Sequence, residues 1–269
     1  MTSRLLAMLL GFLLTLPAFA STAPSPATDN LLKLHQMRLA IQRSLGDFYM
    51  YNSMEGDQRY ARMIDESVRR ADARLEEMGT MPGQVSKALH TQLTEEWRTY
   101  SGQLHGLVVA LREDGVTDLQ PVADLAARNK RLLDLANGLY GKIQEEGAIR
   151  VPPLTERSRE QSLLMQTIAV DYASRSASIG GSFFGGNGGK AIDELAGEFA
   201  QRLTSLEQAP QNTPEIREAL DGISTKWRYI EKSLKNYNEK SVPFLINKYS
   251  DRIIDGLEDV SARYSEAHS

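Results

Sequence analysis

The stretch from Lys190 to Leu234 reads KAIDELAGEFAQRLTSLEQAPQNTPEIREALDGISTKWRYIEKSL, and it decides the fold. Ala209-Pro210 ends a first predicted helix. Thr213-Pro214 starts a second one, with proline at a first helical position, where a backbone N–H is not needed. The second helix carries Trp227. The stretch therefore predicts two helices joined by a proline-marked turn.

An earlier part of the chain carries a diverged copy of this stretch. Ile64-Asp65-Glu66 matches Ile192-Asp193-Glu194 at an offset of 128. Trp97-Arg98 matches Trp227-Arg228 at an offset of 130. A tryptophan repeated in this way is typical of the bulky centre of a helical core, so we expect both tryptophans to be buried.

The same duplication extends to the flanking helices. Gln42 matches Gln166 at an offset of 124, and Asn129-Lys130 matches Asn247-Lys248 at an offset of 118. The offset changes only between predicted helices, where loop lengths vary. The pattern therefore indicates a repeat of two four-helix units.

The expected fold class is all-α, with tandem duplicated antiparallel four-helix bundles made of long helices. The first unit is predicted over residues 30–147 and the second over residues 154–266. The boundary is the segment GAIRVPP, residues 147–153, because consecutive prolines do not continue a helix. No alternating strand pattern competes with this interpretation. The two units could stack end to end through continuous helices or pack side by side.

Local signals predict where individual helices begin and end. Asn30 is expected to cap the first helix, because its side chain can accept a hydrogen bond from a free backbone N–H. The fourth helix is predicted from about Leu119 to Glu146. Val242-Pro243 marks the start of the last helix.

The N-terminus is typical of a secretory signal peptide over residues 1–20. Arg4 supplies a positive charge, Leu5–Leu16 is a short apolar run, and Ala18-Phe19-Ala20 forms a small-x-small cleavage site. Residues 21–29 then predict a flexible leader. We expect a periplasmic or secreted protein with no membrane span after cleavage. The alternative is an uncleaved N-terminal anchor.

Composition narrows the classes of function. The chain has 269 residues and a net charge of -4, which gives no reason to expect a nucleic-acid-binding protein, since such proteins usually show a basic face. It has no cysteine, so disulfides and thiol chemistry are excluded. The histidines show no metal-ligand spacing, and no nucleophile motif or catalytic carboxylate pair stands out. We therefore expect no metal, no cofactor and no enzyme activity.

The first helix contains Arg38-Leu39-Ala40-Ile41-Gln42-Arg43. This run resembles the R-M-L-S-Q-R core of the type IV pilus methyl-accepting chemotaxis transducer N-terminal family (PilJ-type), which is related to the input domains of nitrate-sensor kinases. The second unit is similar to the rest of that family's pattern at Asn212-Thr213-Pro214-Glu215-Ile216 and Trp227. The second copy has Ser162 opposite Arg38 and Thr167 opposite Arg43.

The resemblance implies a non-enzymatic, extracytoplasmic helical sensory module. In the family, the first helix lines a dimer interface, and in the nitrate sensors its arginine holds a small anion. By position, that ligand-binding role falls on Arg38, with Gln42 and Arg43 beside it. The expected partners are a small anion and a membrane receptor or envelope protein, in chemotaxis or type IV pilus signalling, and a homodimer is possible.

Other interpretations of these residues remain open at the level of sequence. Arg38 and Arg43 could be ordinary surface arginines paired with carboxylates. Phe183 and Phe184 lie in a glycine-rich segment, where they could dock onto a partner or fold back onto the bundle. The alternative function is a structural helical interaction protein of the cell envelope with no small ligand.

Overall fold

The computed structural model describes residues 25–177, 190–239 and 241–267. These residues form helices and contain no strand, so the all-α fold class is confirmed. The eight helices are α1 (Pro26–Ser53), α2 (Gln58–Glu77), α3 (Gln84–Asp114), α4 (Leu119–Glu146), α5 (Pro153–Ala177), α6 (Ile192–Glu207), α7 (Pro214–Lys235) and α8 (Pro243–Glu266).

The helices form two groups, each around its own apolar core. In the first helix group, α1 packs against α2 and α4, and α3 packs against α4. In the second helix group, α5 packs against α6 and α8, and α7 packs against both of those helices. Trp97 is 1% exposed in the first core and Trp227 is 3% exposed in the second, so the prediction that both are buried is confirmed.

The two helix groups pack side by side along α1 and α5. Gln42 Nε2 donates to Thr167 Oγ1 at 3.0 Å. One turn further along, a Cβ on Gly46 would lie 3.2 Å from Val170 Cγ2, so the two backbones approach closely there. Both contacts advance along the two helices in the same direction, so α1 and α5 run parallel. The duplication of the sequence itself stays a prediction.

The first helix begins earlier than the sequence predicts. Pro26 occupies a first helical position, and Ser25 Oγ accepts a hydrogen bond from the Thr28 N–H at 3.2 Å. Residues 26–29 therefore belong to α1, whereas the predicted leader extended to residue 29. The serine–proline pair gives the helix a stronger start than Asn30 would.

Asn30 is therefore not the helix cap that the sequence predicts. It is fully buried inside the first turns of α1. Its Oδ1 accepts from the Gly79 N–H at 2.7 Å, and its Nδ2 donates to the Thr80 carbonyl at 3.2 Å. The side chain thus ties the loop after α2 to α1.

Two predictions concern residues outside the described ranges. These are the signal peptide over residues 1–20 and the docking role of Phe183 and Phe184. Within the described ranges, no helix combines the length and the apolar character needed to cross a membrane.

Candidate ligand-binding clefts

The α1–α5 pair borders two clefts, which use different faces of α1. The first, the Arg38 cleft, lies between α1, α4 and α5 and has a volume of about 270 Å³. The second, the Asp255 cleft, lies between α1, α2, α5 and α8 and has a volume of about 370 Å³. The polar lining of the Arg38 cleft consists of Arg38, Gln42, Lys130, Asp134, Asn137 and Thr167. The Asp255 cleft is lined by the charged residues Arg43, Arg70, Arg74, Asp255 and Glu258 and by the amides of Gln36 and Gln166.

Arg38 carries a charge that no carboxylate neutralises at ion-pair distance within the described part of the chain. Its guanidinium carbon lies 5.2 Å from the centre of the Tyr140 ring, a cation–π contact. Burial lowers the pKa of Arg38, with Tyr140 and Glu156 acting in the opposite direction. A guanidinium nevertheless stays protonated at neutral pH, so the cleft contains an unpaired cation.

Tyr140 is held in place beneath Arg38 by its own hydrogen bonds. Its hydroxyl donates to Glu156 Oε2 at 2.8 Å and accepts from Arg159 Nη1 at 3.3 Å. Burial raises the pKa of Tyr140 to about 12, so the phenol stays neutral at physiological pH. The ring therefore offers Arg38 a fixed aromatic face.

Gln42 lies on the same face of α1 as Arg38, one turn further along. It is 7% exposed, and only one of its two amide hydrogens is needed for the bond to Thr167. Its Oε1 has no hydrogen-bond partner among the described residues. Across the cleft, Lys130 forms an ion pair with Asp134 at 2.9 Å. The Arg38 cleft thus combines one unpaired cation with an incompletely satisfied amide.

Arg43 does not join Arg38 and Gln42. Five residues beyond Arg38, it points to the other face of α1 and lines the Asp255 cleft. Its Nη2 donates to Asp251 Oδ2 at 2.9 Å, and its Nε lies 3.7 Å from Asp47 Oδ2. Arg43 is therefore paired with a carboxylate, as the alternative interpretation of both arginines expects, whereas Arg38 is not.

Asp47 is a buried carboxyl group that Arg43 only partly compensates. It is 1% exposed, and its Oδ2 accepts a hydrogen bond from Ser67 Oγ at 3.0 Å. Burial raises the pKa of Asp47 to about 7, although Arg43 acts to lower it. Burial likewise raises the pKa of Asp251 to about 6. The group formed by Asp47, Arg43 and Asp251 links α1 to α8 across the two helix groups.

A second buried polar contact joins α1, α5 and α8. His35 is fully buried, and its Nε2 lies 2.8 Å from Glu258 Oε1. Ser162 Oγ donates to the same oxygen at 2.7 Å. Burial lowers the pKa of His35, so the neutral ring donates from Nε2 at pH 7. Burial alone would raise the pKa of Glu258, but His35, Ser162 and Arg159 bring it below its ordinary value.

Sequence reasoning missed Gln166, Asp255 and Glu258 as cleft residues. One signal was available, because Gln42 and Gln166 match at the repeat offset. A polar residue repeated at a buried position indicates a hydrogen-bonding role. Asp255 and Glu258 carried no such signal, since acidic residues are common on solvated helix faces.

No described part of the chain brings three histidine or carboxylate side chains together as a metal-binding cluster. In comparisons with known proteins, no family, no curated protein and no solved structure matches this chain.

Proposed function

We propose that this protein is a non-enzymatic sensory or adaptor module of the cell envelope, and that it binds a small oxyanion in the Arg38 cleft. The observation that carries the proposal is the Arg38 guanidinium, which is partly buried on Tyr140 and unpaired within the described residues. A guanidinium offers two parallel N–H donors, a geometry that fits planar oxyanions such as nitrate or bicarbonate.

Other groups in the cleft fit the same class of ligand. The free amide hydrogen of Gln42 adds a donor from α1. The Asn137 amide and the Lys130 ammonium add donors from α4. The Lys130 ammonium has three N–H donors and its ion pair with Asp134 uses one of them, so the others can reach a ligand.

The position of the cleft suggests how binding would be transmitted. An oxyanion held by Arg38 and Asn137 would connect α1 to α4 beside the contact between α1 and α5. A ligand that binds one arrangement of these helices better than another shifts the population toward that arrangement. Small helix shifts of this kind are a known means of biasing a partner receptor.

The resemblance to the PilJ-type family also supports Arg38 as the anion-binding residue, because the family's anion-binding arginine corresponds to Arg38 by position. The envelope location rests on the predicted signal peptide over residues 1–20. Chemotaxis or type IV pilus signalling, with a membrane receptor or envelope protein as partner, is the pathway that this resemblance favours. Arg43 is assigned a structural role in the proposal, since Asp251 already pairs with it.

The test is a thermal-shift and calorimetric titration with nitrate, nitrite and bicarbonate, at ionic strength held constant with chloride. We expect saturable binding of at least one oxyanion, and at least a tenfold loss of affinity in Arg38→Gln. Arg112→Gln is the control, because Arg112 is exposed and lies outside the cleft. If no anion binds, or if Arg38→Gln binds as tightly as the wild type, the proposal is wrong and the structural alternative is favoured.

A further inference from the structure

The two clefts correspond to each other through the register of the sequence repeat. Gln42 lines the Arg38 cleft, and Gln166, its match at the offset of 124, lines the Asp255 cleft. Leu163-Leu164 line the Arg38 cleft, and Leu39-Ala40, which precede them by the same offset, line the Asp255 cleft. Each cleft therefore has an equivalent glutamine and an equivalent apolar pair.

The arginines of the Asp255 cleft do not make it an anion site. All three are already hydrogen-bonded to a carboxylate, which neutralises their charge locally. These pairs are Arg43 with Asp251, Arg70 with Glu66, and Arg74 with Glu77.

The charged groups that remain unpaired in this cleft are carboxylates. Asp255 forms no ion pair or hydrogen bond within the described residues. Glu258 uses Oε1 for both His35 and Ser162, and its Oε2 has no hydrogen bond from the described part of the chain. The charge left to attract a ligand is therefore negative, opposite to that of the Arg38 cleft.

Gln166 provides an independent sign of a ligand. It is 4% exposed and lines the cleft, yet its amide makes no hydrogen bond to any described residue. Its amide atoms are not among the fully buried atoms without a partner, so they face the open cleft, where a ligand can reach them. Its carbonyl oxygen can accept a third hydrogen bond beside the two carboxylates.

We propose that the Asp255 cleft is a second ligand site, which binds a small organic cation carrying a primary ammonium or guanidinium group. An ammonium has three donors, and Asp255, Glu258 and Gln166 offer acceptors for them. The cleft volume of about 370 Å³ lies within the range of small-molecule sites and exceeds the needs of a bare ion.

The apolar part of the cleft fits an organic cation in particular. Leu39, Ala40 and Ile254 line the same space and suit a short methylene chain. This second site does not depend on anion binding at Arg38, because the two clefts share no lining residue.

The test is isothermal calorimetry with putrescine and agmatine as probes, at fixed ionic strength, and with 1,4-butanediol as an uncharged molecule of the same length as putrescine. We expect one saturable site for at least one of the two amines and no heat with the diol. Asp255→Asn should weaken binding at least tenfold, and Gln166→Leu should weaken it several-fold. Asp259→Asn on the same helix is the matched control, because Asp259 is exposed and pairs with Arg263 outside the cleft.

Arg38→Gln separates this proposal from the proposed function, because it should remove oxyanion binding and leave amine binding unchanged. Circular dichroism of each variant checks that it is folded, and Asp255 is exposed enough for its replacement to be tolerated. Absence of amine binding to the wild-type protein would overturn the inference. The inference would also be overturned if Asp255→Asn and Asp259→Asn weakened amine binding equally. Binding would then reflect the overall negative charge of the protein.

Discussion

The two tryptophans lie at matching positions of the two helix groups, but their indole nitrogens differ. Trp97 Nε1 donates to Asp72 Oδ1 at 2.6 Å. Trp227 Nε1 is buried and has no partner among the described residues. Trp227 instead packs against Phe199, with ring centres 4.3 Å apart. One core thus satisfies its indole with a carboxylate, whereas the other relies on aromatic contact alone.

The helices at the centre of the molecule show a related difference. In α1, Arg43 lies between Asp47 and Asp251. In α5, the position that matches Arg43 holds Thr167, whose hydroxyl donates to the Leu163 carbonyl of its own helix. Trp97 and Arg43 thus have carboxylate partners, whereas Trp227 and Thr167 have none among the described residues. This difference predicts that the two groups respond differently to polar substitutions.

The largest expected effect is that of Asp72→Ala, which would make Trp97 resemble Trp227. The substitution leaves a buried indole N–H without an acceptor, and hydrogen bonds to charged groups contribute about 1.5–3 kcal/mol. We expect the free energy of unfolding to fall by about 2 kcal/mol in urea denaturation followed by circular dichroism.

Asp65→Ala is the control for this prediction, since Asp65 lies on the same helix but is exposed. Its effect should stay within about 0.5 kcal/mol. Equal effects of the two substitutions would mean that the hydrogen bond to Trp97 contributes nothing to stability.

A smaller effect is expected from the pH dependence of Asp47. Because its pKa is raised from 3.8 to about 7, its contribution to stability is fully present below pH 3.8 and is lost progressively as the pH rises from 3.8 through about 7. Between pH 6 and pH 8 this loss is about 1 kcal/mol. Asp47→Asn has no proton to release, so its free energy of unfolding should decline less over the same interval, by about 1 kcal/mol.

The difference between the two proteins removes the contributions of titratable groups that do not interact with Asp47. His35, whose pKa is lowered, acts in the opposite direction, because it favours the folded state more as the pH rises through 6.5. That contribution is the same in both proteins. Asp251 does act on Asp47 and, with its pKa raised to about 6, titrates in the same interval, so the difference between the two proteins measures the coupled pair of carboxyl groups. Parallel pH profiles for wild type and Asp47→Asn would contradict the prediction.

Helix ends could be predicted from the sequence where a local signal sets them. The fourth helix runs from Leu119 to Glu146 as predicted, and Pro214 and Pro243 begin α7 and α8 as predicted. The role of Asn30 could not be predicted from a local signal, because its partners Gly79 and Thr80 belong to a loop about 50 residues away.

The candidate site was only partly predictable for the same reason. Arg38 and Gln42 share a helix face, which the spacing of four residues already indicates. The placement of Arg43 in the other cleft depends on Asp251, a partner from α8 about 200 residues away. The sequence of α1 alone does not show on which side Asp251 lies. The sequence therefore predicted one site for Arg38, Gln42 and Arg43, although the fold places Arg43 in a different cleft.

The smallest expected effect is a gain of stability in the second helix group. Ala200 matches Asp72 at the offset of 128 and is partly buried against the second core. Ala200→Asp should give the Trp227 N–H an acceptor, worth about 1 kcal/mol, while aspartate costs the helix about 0.5 kcal/mol relative to alanine. We expect a net gain of about 0.5 kcal/mol in urea denaturation. The same substitution in a Trp227→Phe background should lose this gain, because phenylalanine has no N–H to satisfy. A gain that persists there would show that Ala200→Asp acts through the helix surface rather than through the tryptophan.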